Sequence, residues 1–259
     1  MQNRHIDRQK YFDEQTYTTQ KYVIPFIDPF KPISSSIRVL EIGCGEGGNL
    51  KPFLDLGCSC VGIDLSQAQI ENARIFYKNH PLCSNIELIS ADIYKIDTID
   101  EPFDLVMLRD VIEHIPNQSF FMQFVKRFLK PDGVIFFGFP PWYNPFGGHQ
   151  QVLTGLASKI PYFHIFPKTI YLGILNLFGF KKKEVLELLE IHDTGISIER
   201  FERILRKENF KIMKKTDYLI NPNYEIKFGL KPKRVLIPFN KIPFLRNFYT
   251  TAVYYVIKN

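Results

Sequence analysis

The sequence predicts an α/β protein built on a doubly wound, largely parallel sheet with helices on both faces, and three observations predict it. Between residues 37 and 139, five short apolar or β-branched runs alternate with helical stretches, the pattern of strands covered on both faces by crossover helices. The first run leads into a glycine-rich turn, VLEIGCGEGGN at 39–49, and a turn between strand and helix is where open α/β sheets bind nucleotide-like ligands. The chain has 259 residues, 45% hydrophobic and 23% charged, which suits one such domain with elaborations and excludes a disordered or low-complexity chain.

Residues 1–36 are polar and aromatic, with Tyr11, Phe12, Tyr17 and Tyr22 ahead of Pro25; they read as an N-terminal helical cap that stops near the proline. The strands come next as IRVLEI at 37–42, CVGID at 60–64, IELIS at 86–90, FDLVML at 103–108 and VIFFGF at 134–139. Between them, Ser66-Gln67-Ala68-Gln69 is a capping box opening a helix with Ile70, Ala73 and Tyr77. Asn117 caps a helix carrying Phe120, Phe124 and Phe128, and Lys130-Pro131-Asp132-Gly133 turns the chain into the fifth strand.

Residues 140–193 break this rhythm with the aromatic, glycine-rich PPWYNPFGGHQ and the helical FPKTIYLGILNLFG. A connection of that length in a compact domain reads as an inserted lid. A helix at 197–208 and strands near 210–217 and 224–230 bring the sheet to seven, and 231–259 reads as a basic, apolar C-terminal tail.

The basic bias is C-terminal: residues 181–259 hold 17 Lys and Arg against 9 Asp and Glu, within a net charge of +6. No RNA-motif signature accompanies it, and Glu199/Arg203 and Glu202/Arg206 stand at i,i+4 as a solvated helix face would; no nucleic-acid partner is expected. In the tail, NKIPFLRNFYTTAVYYVIKN mixes bulky apolar with basic residues, so weak membrane-surface association is one expectation beside a helix docked on the domain.

Cys44, Cys58, Cys60 and Cys83 form no CxxC pair and have no zinc-like histidine spacing. They read as free thiols of a reducing cytosol. With no apolar core behind the N-terminal charges, and the longest apolar run, 170–180, too short to span a bilayer, a cytoplasmic location is expected.

The loop by itself admits two cofactors, because Gly43, Gly45 and Gly48 also spell the GxGxxG of dinucleotide enzymes. Asp64, ending the second strand, stands where an acid accepts hydrogen bonds from ribose hydroxyls. Glu41 tips the balance: an acid there repels a pyrophosphate but favours the cationic methionine portion of S-adenosylmethionine.

VLEIGCGEGGN resembles the first motif of class I methyltransferases, and GIDLS at 62–66, SADI at 90–93, FDLVMLRDVIEHI at 103–115 and LKPDGVIFFGFP at 129–140 resemble its successors in order. The resemblance implies a Rossmann-like sheet of seven strands with the last antiparallel, a methyltransferase domain over 37–230 and S-adenosyl-L-methionine as cofactor. It implies that Gly43 and Gly45, with Cys44 between them, contact the methionine portion. Asp64, followed by Leu65, holds the ribose, and Asp92 with Ile93 meets the adenine amino group. Arg109 occupies the position where the family's backbone meets the amino-acid end of the cofactor, and Tyr11 is a lid residue over that end.

Methyl transfer is an in-line displacement from a sulfonium, so the protein supplies alignment and, for a hydroxyl acceptor, a base. His149, past the end of the fifth strand, is the candidate base; His114, in the EHI segment, reads as structural. No metal-ligand spacing appears, and no metal is expected. Trp142, Tyr143 and Phe146 are candidates for an aromatic wall over an acceptor, and the segment around them is similar to methyltransferases of bacterial polysaccharide and lipid-linked sugar biosynthesis. The expected reaction is methyl transfer to a small molecule, such as a sugar, lipid-linked saccharide or quinone-like hydroxyl. An NAD(P)-dependent sugar-modifying oxidoreductase and a non-catalytic S-adenosylmethionine-binding protein are the rival readings.

Overall fold

The computed structural model describes residues 7–96, 101–149, 153 and 156–259. The five expected strands form: β1 (Arg38–Ile42), β2 (Ser59–Asp64), β3 (Ile86–Ser90), β4 (Phe103–Arg109) and β5 (Leu129–Phe139). They pair in parallel in the order β3-β2-β1-β4-β5. The step from β1 back across to β4 is the reversal of strand order at whose carboxyl ends open sheets bind ligands. Lys130-Pro131-Asp132-Gly133, expected as a turn, is instead an irregularity within β5, where the register against β4 jumps from Phe103/Leu129 to Leu105/Val134.

Alternation along the strands fills two cores. Val39, Leu105, Met107, Val134 and Phe136 face one side, while Leu40, Val106, Leu108, Ile135 and Phe137 face the other, the period of two that a doubly covered sheet requires. The first side is covered by α1 (Arg8–Thr18) and α2 (Ile24–Ile27), α3 (Lys51–Asp55) and α4 (Gln67–Tyr77) through Phe12, Ile27, Phe53 and Tyr77. The second is covered by α5 (Gln118–Val125) and α8 (Ile198–Lys207) through Phe121, Val125, Phe201 and Leu205. The caps form as expected: Ser66 accepts from the Gln69 N–H and Asn117 from the Phe120 N–H. The N-terminal helix does not stop at Pro25. It widens through a π-helical turn, Thr19–Val23, into α2, whose first turn takes the proline where its missing N–H costs nothing.

Over 140–193, α6 (Lys168–Leu177) and α7 (Lys182–Thr194) pack Tyr171, Leu175, Val185 and Leu188 with Leu153 and Phe163 into a separate small core. The last third departs most from expectation. The sheet has eight strands, not seven: β6 (Lys211–Ile220), a two-residue β7 (Lys233–Arg234) and β8 (Ala252–Lys258) complete the order β5-β8-β6-β7. The stretch expected as a strand at 224–230 is α9 (Asn223–Phe228), ended by Gly229 at φ +69°. The end of the presumed tail lies inside the sheet, antiparallel to both β5 and β6. No boundary at 230 therefore separates a tail from the domain.

The acids of α8 do not serve the i,i+4 pairs read from the sequence. Glu199 and Glu202 reach Arg246 at 2.8 and 2.9 Å, and Glu202 also reaches Lys215 at 2.8 Å. They thereby tie α10 (Arg246–Tyr249) and β6 to the helix. The four cysteines are free, and among the described residues no helix is long and apolar enough to cross a membrane.

Candidate active site

The glycine loop is built by sterics and by one carboxylate. Gly43 and Gly45 take φ +71° and +56°, a left-handed backbone that only glycine adopts without strain. The N–H groups of Gly43 and Cys44 both donate to the Ile63 carbonyl, at 2.8 and 3.1 Å. Asp64 then links loop to helix: Oδ2 accepts the Gly45 N–H and Oδ1 the Ser66 N–H, both at 2.8 Å. Each oxygen retains a lone pair for a further donor such as a ribose hydroxyl.

A cleft of about 290 Å³ opens at the carboxyl ends of β1, β2 and β3, and Gly43, Asp64, Leu65, Asp92, Ile93 and His114 are among the residues that line it. Five of the residues singled out for the cofactor, from three segments of the chain, thus share one cavity. Asp92 caps the turn after it through Oδ1, which accepts the Tyr94 N–H at 3.0 Å; Leu65 stands 77% exposed at the cleft wall. Val111 lines the same cleft and packs against Gly43.

Cys44 and Glu41 are placed elsewhere. The Cys44 side chain is buried in the core beneath α1, where its thiol donates to the Gly45 carbonyl at 3.6 Å. Glu41 is fully buried and accepts from Asn49 Nδ2 at 2.6 Å; burial pushes its carboxyl up to about 8 against the opposing bond from Asn49 and the charge of Arg109. The Asn49 carbonyl in turn accepts from Arg109 Nη1 at 2.6 Å and Thr19 Oγ1 at 2.8 Å, and Arg109 also donates to Asn223. The arginine side chain therefore ties α2's leading turn, the glycine loop and α9 together beneath the site.

Beyond Arg109 lies a second, smaller cavity of about 30 Å³, between α1 and α9, lined by Tyr11, Glu14, Gln15, Arg109 and Asp110. Tyr11, the candidate lid residue, is among the residues that line it. Sequence reasoning missed Glu14 and Gln15, each with a buried side-chain oxygen that has no hydrogen-bond partner among the described residues. Their signal was a polar pair on a helix face otherwise fixed by Phe12. α1 is held over the loop by Arg8 on the buried Glu46 at 2.6 Å and by Thr16 on the Gly48 carbonyl at 3.0 Å. Lys21 and Tyr17 bind it to Glu225 of α9 at 2.9 and 3.1 Å.

The aromatic loop after β5 packs against the segment that follows it and against the C-terminal third of the chain. Trp142 lies edge-on to His164 and His192, with ring centroids 4.7 and 5.3 Å away, and Tyr143 packs on Phe244 at 4.8 Å. The two rings thus contact the segment around α6 and α7 and the C-terminal segment. His149 takes φ +56°. Its Nε2 lies 4.0 Å from Oε1 of Glu113 and its ring 5.1 Å from that of His114. Burial, with His114 and His164 nearby, holds the imidazole well below the ordinary histidine range. A general base works best with a pKa near the working pH, so an imidazole so depressed is a weak one.

Residues 40–137 match the family described as Methyltransferase domain. The ubiquinone biosynthesis O-methyltransferase of Pelagibacter ubique (strain HTCC1062) is 33% identical over 106 residues, 41% of this chain and 42% of that protein. The chain thus spans under half the length of that curated relative. A putative sarcosine dimethylglycine methyltransferase from Galdieria sulphuraria superposes with a TM-score of 0.60 at 15% identity, over 92% of this chain and 84% of that one. The plantazolicin methyltransferase BpumL in complex with SAH gives 0.53 at 16%, over 99% and 86%. The dinucleotide reading of the loop gives way, since the match runs on from the glycines through the segments after β2, β3 and β4. With the glycine loop, Asp64 and Asp92 converging on one cleft inside the matched segment, residues 40–137 carry a methyltransferase domain of the S-adenosylmethionine-dependent class I kind.

Proposed function

We propose that this chain transfers a methyl group from S-adenosylmethionine to a hydroxyl of a small, quinone-like molecule. The observation that carries the reading is the single cleft lined by Gly43, Asp64, Asp92 and Ile93 at the ends of β1, β2 and β3. In it the ribose hydroxyls donate to Asp64, the adenine amino group to Asp92, and the adenine ring lies against Ile93 and Leu65. The methionine portion passes Gly43 toward the smaller cavity, where Arg109 offers a cation to the carboxylate and Glu14 an anion to the ammonium. Oxygen as the methylated atom is supported by the likeness to ubiquinone O-methyltransferases.

Holding the sulfonium methyl and the acceptor oxygen in line accounts for much of the acceleration such a site supplies. The acceptor must also lose a proton. In this reading His149, past β5, is assigned that role as a weak base, its neutral ring offering a lone pair. The test is methyl transfer from labelled S-adenosylmethionine to a panel of quinol, phenol and sugar hydroxyls: label on the quinol-type acceptors supports the reading, and label on sugars alone overturns it.

Weak contact with anionic membrane surfaces belongs to the same proposal. Leu236, Ile237 and Phe239 are 70%, 71% and 51% exposed, in a segment that also carries Lys233, Arg234 and Lys241, the mixture interfacial segments use. Sedimentation with anionic vesicles that is lost in Leu236→Ser/Ile237→Ser supports it. Equal sedimentation of both proteins overturns it.

A further inference from the structure

We propose that the cavity between the start of α5 and one face of α8 binds a phosphate monoester whose organic part carries a hydroxyl, a phosphorylated polyol or sugar. The site lies beside the cofactor cleft and does not depend on the methyl-transfer reading; the two cavities meet at Pro116, which lines both.

The cavity has a volume of about 280 Å³, and Asn117, Gln118, Ser119, Arg200, Arg203 and Lys207 are among the residues that line it. Small-molecule sites run from about 300 Å³ upward, so a phosphate and a short organic group fill it. None of its lining residues is acidic. The side chains of α8 explain why. Arg200, Arg203 and Lys207 stand at i, i+3 and i+7, on one face of the helix. Glu199 and Glu202, the acids of the same helix, are turned to Arg246 of α10 and Lys215 of β6. Arg203 is left with no acid and no hydrogen bond among the described residues. Arg200 reaches the Gly195 carbonyl at 3.1 Å, a neutral partner that leaves its charge in place. Lys207 does have an acid, Glu208, at 3.6 Å, and both groups also bond Ser119 Oγ. Three cations against one carboxylate leave the cavity a surplus of positive charge.

The start of α5 adds donors. Asn117 takes up the Phe120 N–H through Oδ1 at 3.1 Å and the Phe121 N–H through its carbonyl at 2.9 Å. The N–H groups of Gln118 and Ser119, the first two residues of the helix, have no acceptor among the described residues. Free N–H groups at a helix start favour phosphate, and guanidinium groups match its oxygens in pairs.

Gln118 is the second, independent observation. It is 1% exposed. Its Nε2 donates to the carbonyls of Ile112 at 3.1 Å and Thr194 at 2.6 Å, which uses both amide hydrogens and settles which end of the amide is oxygen. Oε1 is left buried with no hydrogen-bond partner among the described residues. Such an acceptor calls for a donor, and a monoester phosphate has lost its second proton above about pH 6. The hydrogen that completes Oε1 therefore comes from a hydroxyl of the ligand's organic part.

The experiment is calorimetric titration of the full chain, without cofactor at about pH 7.5, with glycerol 3-phosphate, methyl phosphate, inorganic phosphate and glycerol in turn. One glycerol 3-phosphate per chain is expected, bound at least about threefold more tightly than methyl phosphate or inorganic phosphate, with no heat from glycerol. Arg203→Ala, at an exposed position, weakens that binding at least about tenfold. Arg206→Ala removes the same charge from α8 at an exposed position outside the cavity lining and leaves binding unchanged. Absence of glycerol 3-phosphate binding, undiminished binding in Arg203→Ala, or equal losses in Arg203→Ala and Arg206→Ala overturns the site. Inorganic or methyl phosphate bound as tightly as glycerol 3-phosphate overturns the hydroxyl-bearing ester as its ligand. With no cofactor in the cell, failure of the methyl-transfer reading changes none of these outcomes.

Discussion

A Cβ placed on Gly43 would lie 2.4 Å from Cγ2 of Val111, so the loop after β1 and the turn after β4 meet where only hydrogen fits. Both residues line the cleft at the ends of β1, β2 and β3. Gly43→Ala must push Val111 aside and also hold a side-chain-bearing residue at φ +71°, at a cost of about 1–3 kcal/mol. The expected outcome is a lower melting midpoint and S-adenosylhomocysteine affinity reduced at least about tenfold, by scanning and titration calorimetry.

Asp64 shapes the loop and is the residue proposed to hold the cofactor ribose. Asp64→Ala leaves the Gly45 and Ser66 N–H groups without their carboxylate, a loss of about 1–3 kcal/mol, and is expected to weaken S-adenosylhomocysteine binding by an order of magnitude or more. Calorimetry giving unchanged affinity would sink the ribose assignment.

Glu41 makes the apoprotein's stability depend on pH. Its carboxyl, raised from 4.5 to about 8, keeps its proton in the folded chain where the unfolded chain has lost it. The stability it contributes is full below about 4.5 and is lost as pH rises through about 8. Glu41→Gln keeps an oxygen for Asn49 and removes this titration. Melting midpoints of the unaltered chain should therefore fall more steeply between about pH 5 and 8 than those of the variant; parallel curves would contradict the assignment.

The smaller cavity beside Arg109, about 30 Å³, has room for little more than a water. For the methionine end of the cofactor to enter, the side chains of α1 around Tyr11, Glu14 and Gln15 must move and then close. Amide exchange across Arg8–Thr18 is expected to slow when S-adenosylhomocysteine is added. Exchange unaffected in that helix but slowed around Asp64 would place the amino-acid end elsewhere.

Ala252–Lys258 has partners on both sides, with Val253, Tyr255 and Ile257 in one core and Tyr254 and Val256 in the other. Deleting 252–259 should abolish the cooperative thermal transition. Arg246→Ala, which strands Glu199 and Glu202, should cost about 1–3 kcal/mol, since the pairs are partly exposed. A truncated chain that melts like the full one would contradict the strand order.

The first half of the fold was legible because its signals are local. Each of β1 to β5 is a short apolar run, Ser66 and Asn117 cap the helices they precede, and the glycines come directly after β1. The last third was not, because strand identity there depends on distant partners. TAVYYVIK has the β-branched and aromatic make-up of a buried strand, but nothing near it in sequence says that β5, more than a hundred residues earlier, pairs with it. Residues 224–230 alternate like a strand, yet Pro222 and Gly229 bracket a helix, a signal that was present and outweighed. Within the site, Gly43, Asp64 and Asp92 lie at or just past strand ends and could be read directly. That His149 returns to Glu113 and His114, and that Glu14 faces Arg109, are juxtapositions made only by the folded chain.

Calorimetric titration of the unaltered chain with S-adenosylhomocysteine and, separately, with NAD⁺ tests the central claim most directly. One bound S-adenosylhomocysteine per chain, competed by S-adenosylmethionine, with no heat from NAD⁺, is the predicted result. Binding of NAD⁺ without S-adenosylhomocysteine would contradict it.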